Sequence, residues 1–230
     1  MGGRGSPGLP DAARSANAPS PYGLMPELPD LTAYVEAIRA RCVGQPLRRV
    51  RLGNPFLLRS VEPPLEAFAD RVLQEVTLLG KRLVFAFPEA YFLVIHLMIA
   101  GRFQWKPAGA KVPGKVGLAA FDFASGTLIL TEAGSKRRAS LHAVRGVEAL
   151  AAMDPGGIDV LAVSREQFAS VLTRERHTLK RSLTDPRLFS GIGNAYSDEI
   201  LHAAQLSPMR QTHQLSPEEI ERLFTATQAV

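Results

Sequence analysis

The sequence predicts a multidomain α+β chain: one leading helix, an antiparallel β-sandwich or flattened barrel, then a helical domain. Three observations predict it. Segments of strand character, LRRVRL, EVTLLG, KRLVFAF, YFLVIHLM, GLAAFDF and TLILTE, follow one another from about 47 to 135 between Pro, Gly and Ser turns. Beyond about 160 the strand signals stop and helix starts with apolar periodicity replace them. A chain of 230 residues is long enough for two small cores.

Taken in order, residues 1–24 are rich in Gly, Pro, Ser and Ala, with neither a periodic apolar face nor the apolar centre of a signal peptide, and are expected to be disordered. Leu31, Tyr34, Val35 and Ile38 recur at i, i+3, i+4 and i+7, which predicts a helix over about 30–42. Pro29 suits its first turn and Asp30 the positive end of its dipole. Within the β region, Phe121 and Phe123 flank Asp122 in two-residue alternation, and Ser125-Gly126 reads as a tight hairpin turn. The basic run Lys136-Arg137-Arg138 follows the last of these strands. A domain over 25–140 is then joined by a connection over 141–164, containing Asp154-Pro155-Gly156-Gly157, to a domain over 165–230. Helices are predicted at 165–183, 194–206 and 217–228. Phe168, Val171, Leu172, Leu179 and Leu183 supply the first apolar face, and Ile200, Leu201, Ala204 and Leu206 the second. The third starts at Ser216, with proline at N1 and Glu219 completing a capping box.

Hydrophobic residues at 46% and charged residues at 21% exclude a mostly disordered chain. A net charge of +5 and a pI near 9.7 point to a polyanionic partner. The single cysteine, Cys42, excludes an intrachain disulfide and a Cys-rich zinc cluster, and fits a reducing compartment. No apolar run reaches the roughly 18 residues of a membrane span. There is no P-loop, HExxH or CxxC, and Gly191-Ile192-Gly193 lacks the third glycine of a dinucleotide fingerprint.

Two motifs carry the functional reading. The first is Met25-Pro26-Glu27-Leu28-Pro29-Asp30. The second is LTDPRLFSGIGNAYSDEIL, residues 183–201, in which Gly191 and Gly193 permit tight backbone geometry and leave amides around Asn194 to point at a phosphate near a helix start. Taken alone, the second also fits an ordinary helical hairpin. Together and in this order they resemble the Fpg/Nei (formamidopyrimidine-DNA glycosylase / endonuclease VIII) family, whose chains open on a proline nucleophile and place GIGN within a helix-two-turns-helix motif.

The resemblance implies a role for each matched position. Pro26 would attack C1′ of the damaged nucleotide. A free α-amine has a pKa near ~8 against ~10.4 for lysine, so a terminal proline offers more neutral amine at physiological pH. An internal Pro26 is an amide without a basic lone pair, so translation is expected to start at Met25, or the extension to be cleaved at the Met25–Pro26 bond. Glu27 would be the acid/base. The competing reading of this pair is a turn proline and an exposed surface acid. Asp30 stands where the family usually has glutamate. Lys81, after Gly80, would reach DNA near the lesion, with Arg82 as competitor. Lys180 would contact a phosphate, the alternative being a solvated helix face shared with Arg181. Asn194, Gly191 and Gly193 would clamp the backbone without reading sequence.

The helix-filling wedge would be Ile99 by spacing, or Met98 one residue earlier, the alternative for both being a buried strand end. The family's RRFG-like run is replaced by Ser135-Lys136-Arg137-Arg138-Ala139-Ser140. It lacks the aromatic, and leaves Arg138 to enter the helix, contact the orphan base or neutralise the backbone.

Family members often close with a four-cysteine zinc hairpin, which this chain lacks. No metal or other cofactor is therefore expected in it; the family's zincless version of the hairpin would also need residues beyond Val230, so a truncated sequence is the simpler explanation. The resemblance implies a bifunctional DNA glycosylase and AP lyase acting on 8-oxoguanine and formamidopyrimidines in duplex DNA. It would be a monomer in the bacterial cytoplasm, associated with the nucleoid through DNA, without membrane contact. Oxidised pyrimidines are the nearer alternative substrate. A non-catalytic DNA-damage binding protein and a ribonucleoprotein component are the alternatives of other classes.

Overall fold

The structure is a computed structural model and describes residues 25–134 and 136–230. The extension over 1–24 and Ser135 of the basic run lie outside the described residues.

Helix α1 (Leu28–Cys42) carries Pro29 in its first turn and buries Leu31, Val35, Ile38 and Cys42, the i, i+4, i+7, i+11 stripe of an amphipathic helix. Tyr34 is only half-buried, but its ring meets Phe103 edge-on at 5.9 Å. Eight strands follow: β1 (Arg49–Leu52), β2 (Glu75–Leu79), β3 (Arg82–Phe87), β4 (Tyr91–His96), β5 (Gly101–Lys106), β6 (Gly117–Asp122), β7 (Thr127–Glu132) and β8 (Ser140–Arg145). They form two four-stranded antiparallel sheets, ordered β1-β6-β7-β5 and β2-β3-β4-β8. The predicted sandwich is therefore present, with Phe85 of one sheet packed on Phe103 and Phe121 of the other in a shared core.

Two strands escape the sequence pattern. β5 (GRFQWK) starts on glycine and carries two cations, so its alternation is weak. β8 falls inside the stretch expected to be a connection, yet pairs along all six residues of β4, from Tyr91↔Arg145 to His96↔Ser140. The sheet therefore runs on through Arg145, into the stretch expected to be a connection. The outer face of this sheet has its own small core: Val84, Val94 and Val144 are covered by Leu150 and Met153 around helix α2 (Val147–Ala151). That second cover explains why β3 and β4 read as nearly unbroken apolar runs.

The helical part contains α3 (Arg165–Thr173), α4 (Leu179–Thr184), α5 (Asn194–Ala203) and α6 (Pro217–Ala229). The single helix expected over 165–183 is in fact two. Thr178 breaks it by capping α4, its hydroxyl accepting the Arg181 N–H, and by bridging to Gln211. Ser164 and Ser216 start α3 and α6 with reciprocal capping boxes. A separate core of Phe168, Leu172, Leu179, Leu183, Phe189, Ile192, Ile200, Leu201 and Leu223 holds these helices together. Leu28, the first residue of α1, packs against that core and donates its N–H to Gly191 O at 3.1 Å. The start of α1 is thus fixed to both halves of the chain. No described helix is long and apolar enough to cross a membrane.

Candidate active site at the junction of the two halves

Pro26 and Glu27 are buried where α1 meets the turn between α4 and α5. Glu27 is 2% exposed, which removes the reading of it as a surface acid. Its Oε2 accepts the N–H of Gly193 at 2.7 Å and of Tyr196 at 3.0 Å, and its Oε1 accepts that of Ala195 at 2.9 Å. These amides belong to the first turn of α5, where helical N–H groups have no partner inside the helix and the dipole favours negative charge. A carboxylate that would be costly to bury alone is thereby compensated by three fixed donors. Asp30 accepts the Glu27 N–H at 3.2 Å, so it stabilises the start of α1.

The GIGN turn must approach Glu27 this closely. A side chain on Gly193 would place its Cβ 2.5 Å from Glu27 Oε1 and 2.5 Å from Lys81 Nζ. Gly191 has φ +82°, and a Cβ there would lie 2.9 Å from the Leu28 side chain. The sequence reading aimed these amides at a DNA phosphate. The structure corrects that: they hold Glu27, and the glycines close the junction. Asn194 is exposed at the first residue of α5. Lys180 reaches across from α4, its Nζ 2.6 Å from Asn194 O and 2.5 Å from Asp198 Oδ1.

Lys81 lies in the turn between β2 and β3, with Gly80 at φ +61°. Burial holds its pKa below the ordinary lysine value, and the facing Glu27 charge works in the opposite direction. Its competitor Arg82 is used elsewhere: it donates to Met153 O at 2.7 Å, tying β3 to the segment after α2. Lys81 is the member of the pair that faces Glu27.

The turn between β4 and β5 carries the two wedge candidates. Met98 has φ +54° and is half-buried, while Ile99 is 45% exposed at the turn, so neither is a buried strand end. Arg138 is exposed, and its backbone N–H is held by the buried Glu132 carboxylate.

Three neighbours were not singled out from the sequence. The Tyr196 phenol, in the same turn as the Glu27-binding amides, is raised in pKa by burial and by Asp30 and Glu27. His96, opposite Arg82 on the β3–β4 ladder, is held neutral with a pKa of about 4 by burial, then Arg82, Lys81 and His142, and its buried Nε2 has no hydrogen-bond partner among the described residues. Glu132 is the third. A tyrosine two residues after GIGN and a histidine ending an apolar strand were the available signals. Among the described residues no group of three or more His, Cys, Asp or Glu is placed to hold a metal. Cys42 is enclosed by the sandwich core, its thiol pushed up to about 12 by burial, and does not fit a zinc site.

Comparison with known proteins follows the same division. Residues 25–140 match the profile of the formamidopyrimidine-DNA glycosylase N-terminal domain, and residues 157–230 that of the formamidopyrimidine-DNA glycosylase H2TH domain. The fold and the two matched domains are those of a two-domain DNA-repair glycosylase. The formamidopyrimidine-DNA glycosylase of Thermus thermophilus is 32% identical, matched over 90% of this chain and 74% of its own length. That of Pelotomaculum thermopropionicum is 30% identical, over 88% and 75%. The crystal structure of the Thermus thermophilus MutM (Fpg) protein superposes with a TM-score of 0.76 at 31% identity, covering 89% of this chain and 74% of that one. A complex of Lactococcus lactis Fpg with abasic-site DNA has a TM-score of 0.80 at 22% identity, over 88% and 77%, and shows the shared fold. The chain belongs to the formamidopyrimidine-DNA glycosylase (Fpg/Nei) family.

Proposed function

We propose that this DNA glycosylase excises oxidised purines, 8-oxoguanine and formamidopyrimidines, from duplex DNA and then cleaves the strand through a Pro26 imine, acting as a monomer in the bacterial cytoplasm. The observation that carries the proposal is the burial of Glu27 beside Pro26, fixed by three amides of α5 and faced by Lys81.

The reading requires a form in which Pro26 is the first residue, because the nitrogen bonded to Met25 is an amide. The free amine attacks C1′ as the N-glycosidic bond breaks, and the base leaves with the bonding pair and takes up a proton. Protonation of O4′ opens the sugar ring and leaves an iminium between Pro26 and C1′. Loss of a C2′ proton then drives departure of the 3′ phosphate, and a second elimination removes the 5′ phosphate. Glu27 is placed to give and take these protons, and a fixed geometry is what such transfers need. Lys81 supplies positive charge beside the reacting nucleotide.

The DNA-facing groups of this reading are Asn194, Lys180 and Lys81 on the backbone, with Ile99 as wedge and Arg138 entering the helix beside it. The 45% exposure of Ile99 and the half-burial of Met98 support that choice. Filling the vacated stack offsets part of the few-kcal/mol cost of everting a nucleotide.

The test uses the chain beginning at Met25 on duplexes carrying 8-oxoguanine, a formamidopyrimidine or an oxidised thymine. Release of the purine lesions with a strand break bearing phosphate ends is expected. Release of the thymine lesion alone would overturn the substrate assignment. Tight binding with no release would overturn the catalytic one.

A further inference from the structure

Glu132 ends β7 and is 2% exposed, yet among the described residues its carboxylate hydrogen-bonds no cationic side chain. Its carboxylate is spent on backbone: Oε1 and Oε2 accept the Arg138 N–H at 3.0 and 3.1 Å, and Oε2 accepts the Ala139 N–H at 3.2 Å. Its own N–H is tied to Val116 O at 2.8 Å. A buried carboxylate is retained at a desolvation cost, so its partners are informative. Here they fix the end of the basic run at one conformation while the three side chains Lys136, Arg137 and Arg138 stay exposed.

The same residue stands beside the other loop of interest. In the β5–β7 ladder Glu132 pairs with Gly101, the residue that closes the turn carrying Met98 and Ile99. That turn is pinned by the Gly101 N–H to Leu97 O at 2.9 Å and by the Arg102 guanidinium on Ile99 O and Gly101 O. The two loops also come together beside the end of that ladder: a Cβ on Gly134 would lie 3.4 Å from Ala100 Cβ. Ile99 and Arg138 therefore project from two loops joined through one buried acid.

We propose that Glu132 is a positioning residue that sets the Ile99 and Arg138 loops as one two-part element inserted into duplex DNA. The inference rests on the functional reading above and adds a division of labour. Glu132 acts on eversion from the duplex and leaves the Pro26–Glu27–Lys81 centre untouched.

The experiment compares unsubstituted protein with Glu132→Gln and Glu132→Asp, all beginning at Met25. Excision from a lesion-containing duplex is measured beside borohydride trapping on a single-stranded abasic oligonucleotide, which needs no eversion. Gln offers one acceptor oxygen and presents an NH2 group where the loop amides donate. Glu132→Gln is expected to slow duplex excision by about tenfold or more, the scale of a lost charge-assisted hydrogen bond, with single-strand trapping unchanged. Glu132→Asp, which keeps the carboxylate, is expected to recover part of the duplex rate. Equal duplex rates in all three proteins overturn the proposal. So does a parallel loss on both substrates, which would make Glu132 a support of the whole fold. No trapping by the unsubstituted protein would overturn the functional reading, and this inference with it.

Discussion

The carboxylate of Glu27 and the N–H of Gly193, 166 positions apart in sequence, meet at 2.7 Å in a buried hydrogen bond. The acid that follows Pro26 is thus held by the second half of the chain. The geometry around Glu27 depends on how the two halves meet, and the two sequence motifs are the two sides of a single contact.

Gly193→Ala tests that contact directly. The new Cβ would stand 2.5 Å from Glu27 Oε1 and from Lys81 Nζ, so either the carboxylate leaves its amides or the start of α5 moves. A loss of stability of about 1–3 kcal/mol, typical of overpacking, is expected, together with a fall in excision on the order of 100-fold, since sub-ångström misplacement of a catalytic group carries that penalty. Chemical denaturation and single-turnover kinetics read the two effects. Near-normal turnover would show that the close approach is incidental.

Glu27→Gln removes the charge that Lys81 faces. Burial lowers the Lys81 pKa and Glu27 raises it, so neutralising Glu27 leaves burial unopposed and the Lys81 pKa falls further. NMR titration of the Lys81 side chain should show a midpoint lower than in the unsubstituted protein. An unchanged or raised midpoint would mean that the two groups do not sense one another.

Asp122 provides a stability test away from the site. Burial opposes its ionisation, but hydrogen bonds from Arg51, Arg49 and Thr127 outweigh it and hold the pKa at about 2 against 3.8. A depressed carboxylate pKa contributes stability above the unfolded value and loses it as pH falls through the folded one. Asp122→Asn should therefore cost about 2 kcal/mol near pH 7. The gap should narrow below about pH 4 and nearly close by about pH 2. Urea melts across this range measure it, and a gap independent of pH would refute the ion-pair account.

The fold was largely legible because its strongest signals are local. The α1 stripe, the alternation around Asp122 and the Ser216 cap each depend on neighbours a few residues away. β8 was hidden because its place depends on β4, some 50 positions earlier, and its six residues carry no turn signal. The break at Thr178 was hidden for a similar reason, since the bridge to Gln211 lies outside any helical window. At the candidate site, Pro26, Glu27 and Lys81 are picked out by resemblance to the family, and the structure sets Lys81 facing Glu27. The amide cage around Glu27 was not legible, because donor direction is set by the fold and has no residue signature. Glu132 was missed because a single acid at a strand end looks like surface charge until its burial is known.

The central claim is that Pro26 is the nucleophile and acts only as a free N-terminal amine. Borohydride trapping on a lesion-containing duplex, with the chain beginning at Met25 and with the chain beginning at Met1, tests it most directly, with mass spectrometry locating the adduct. A reduced adduct on Pro26 in the protein that has lost Met25, and none in the chain that keeps residues 1–25, is the expected result. An adduct on another residue, or equal trapping with Pro26 still joined to Met25, would contradict it.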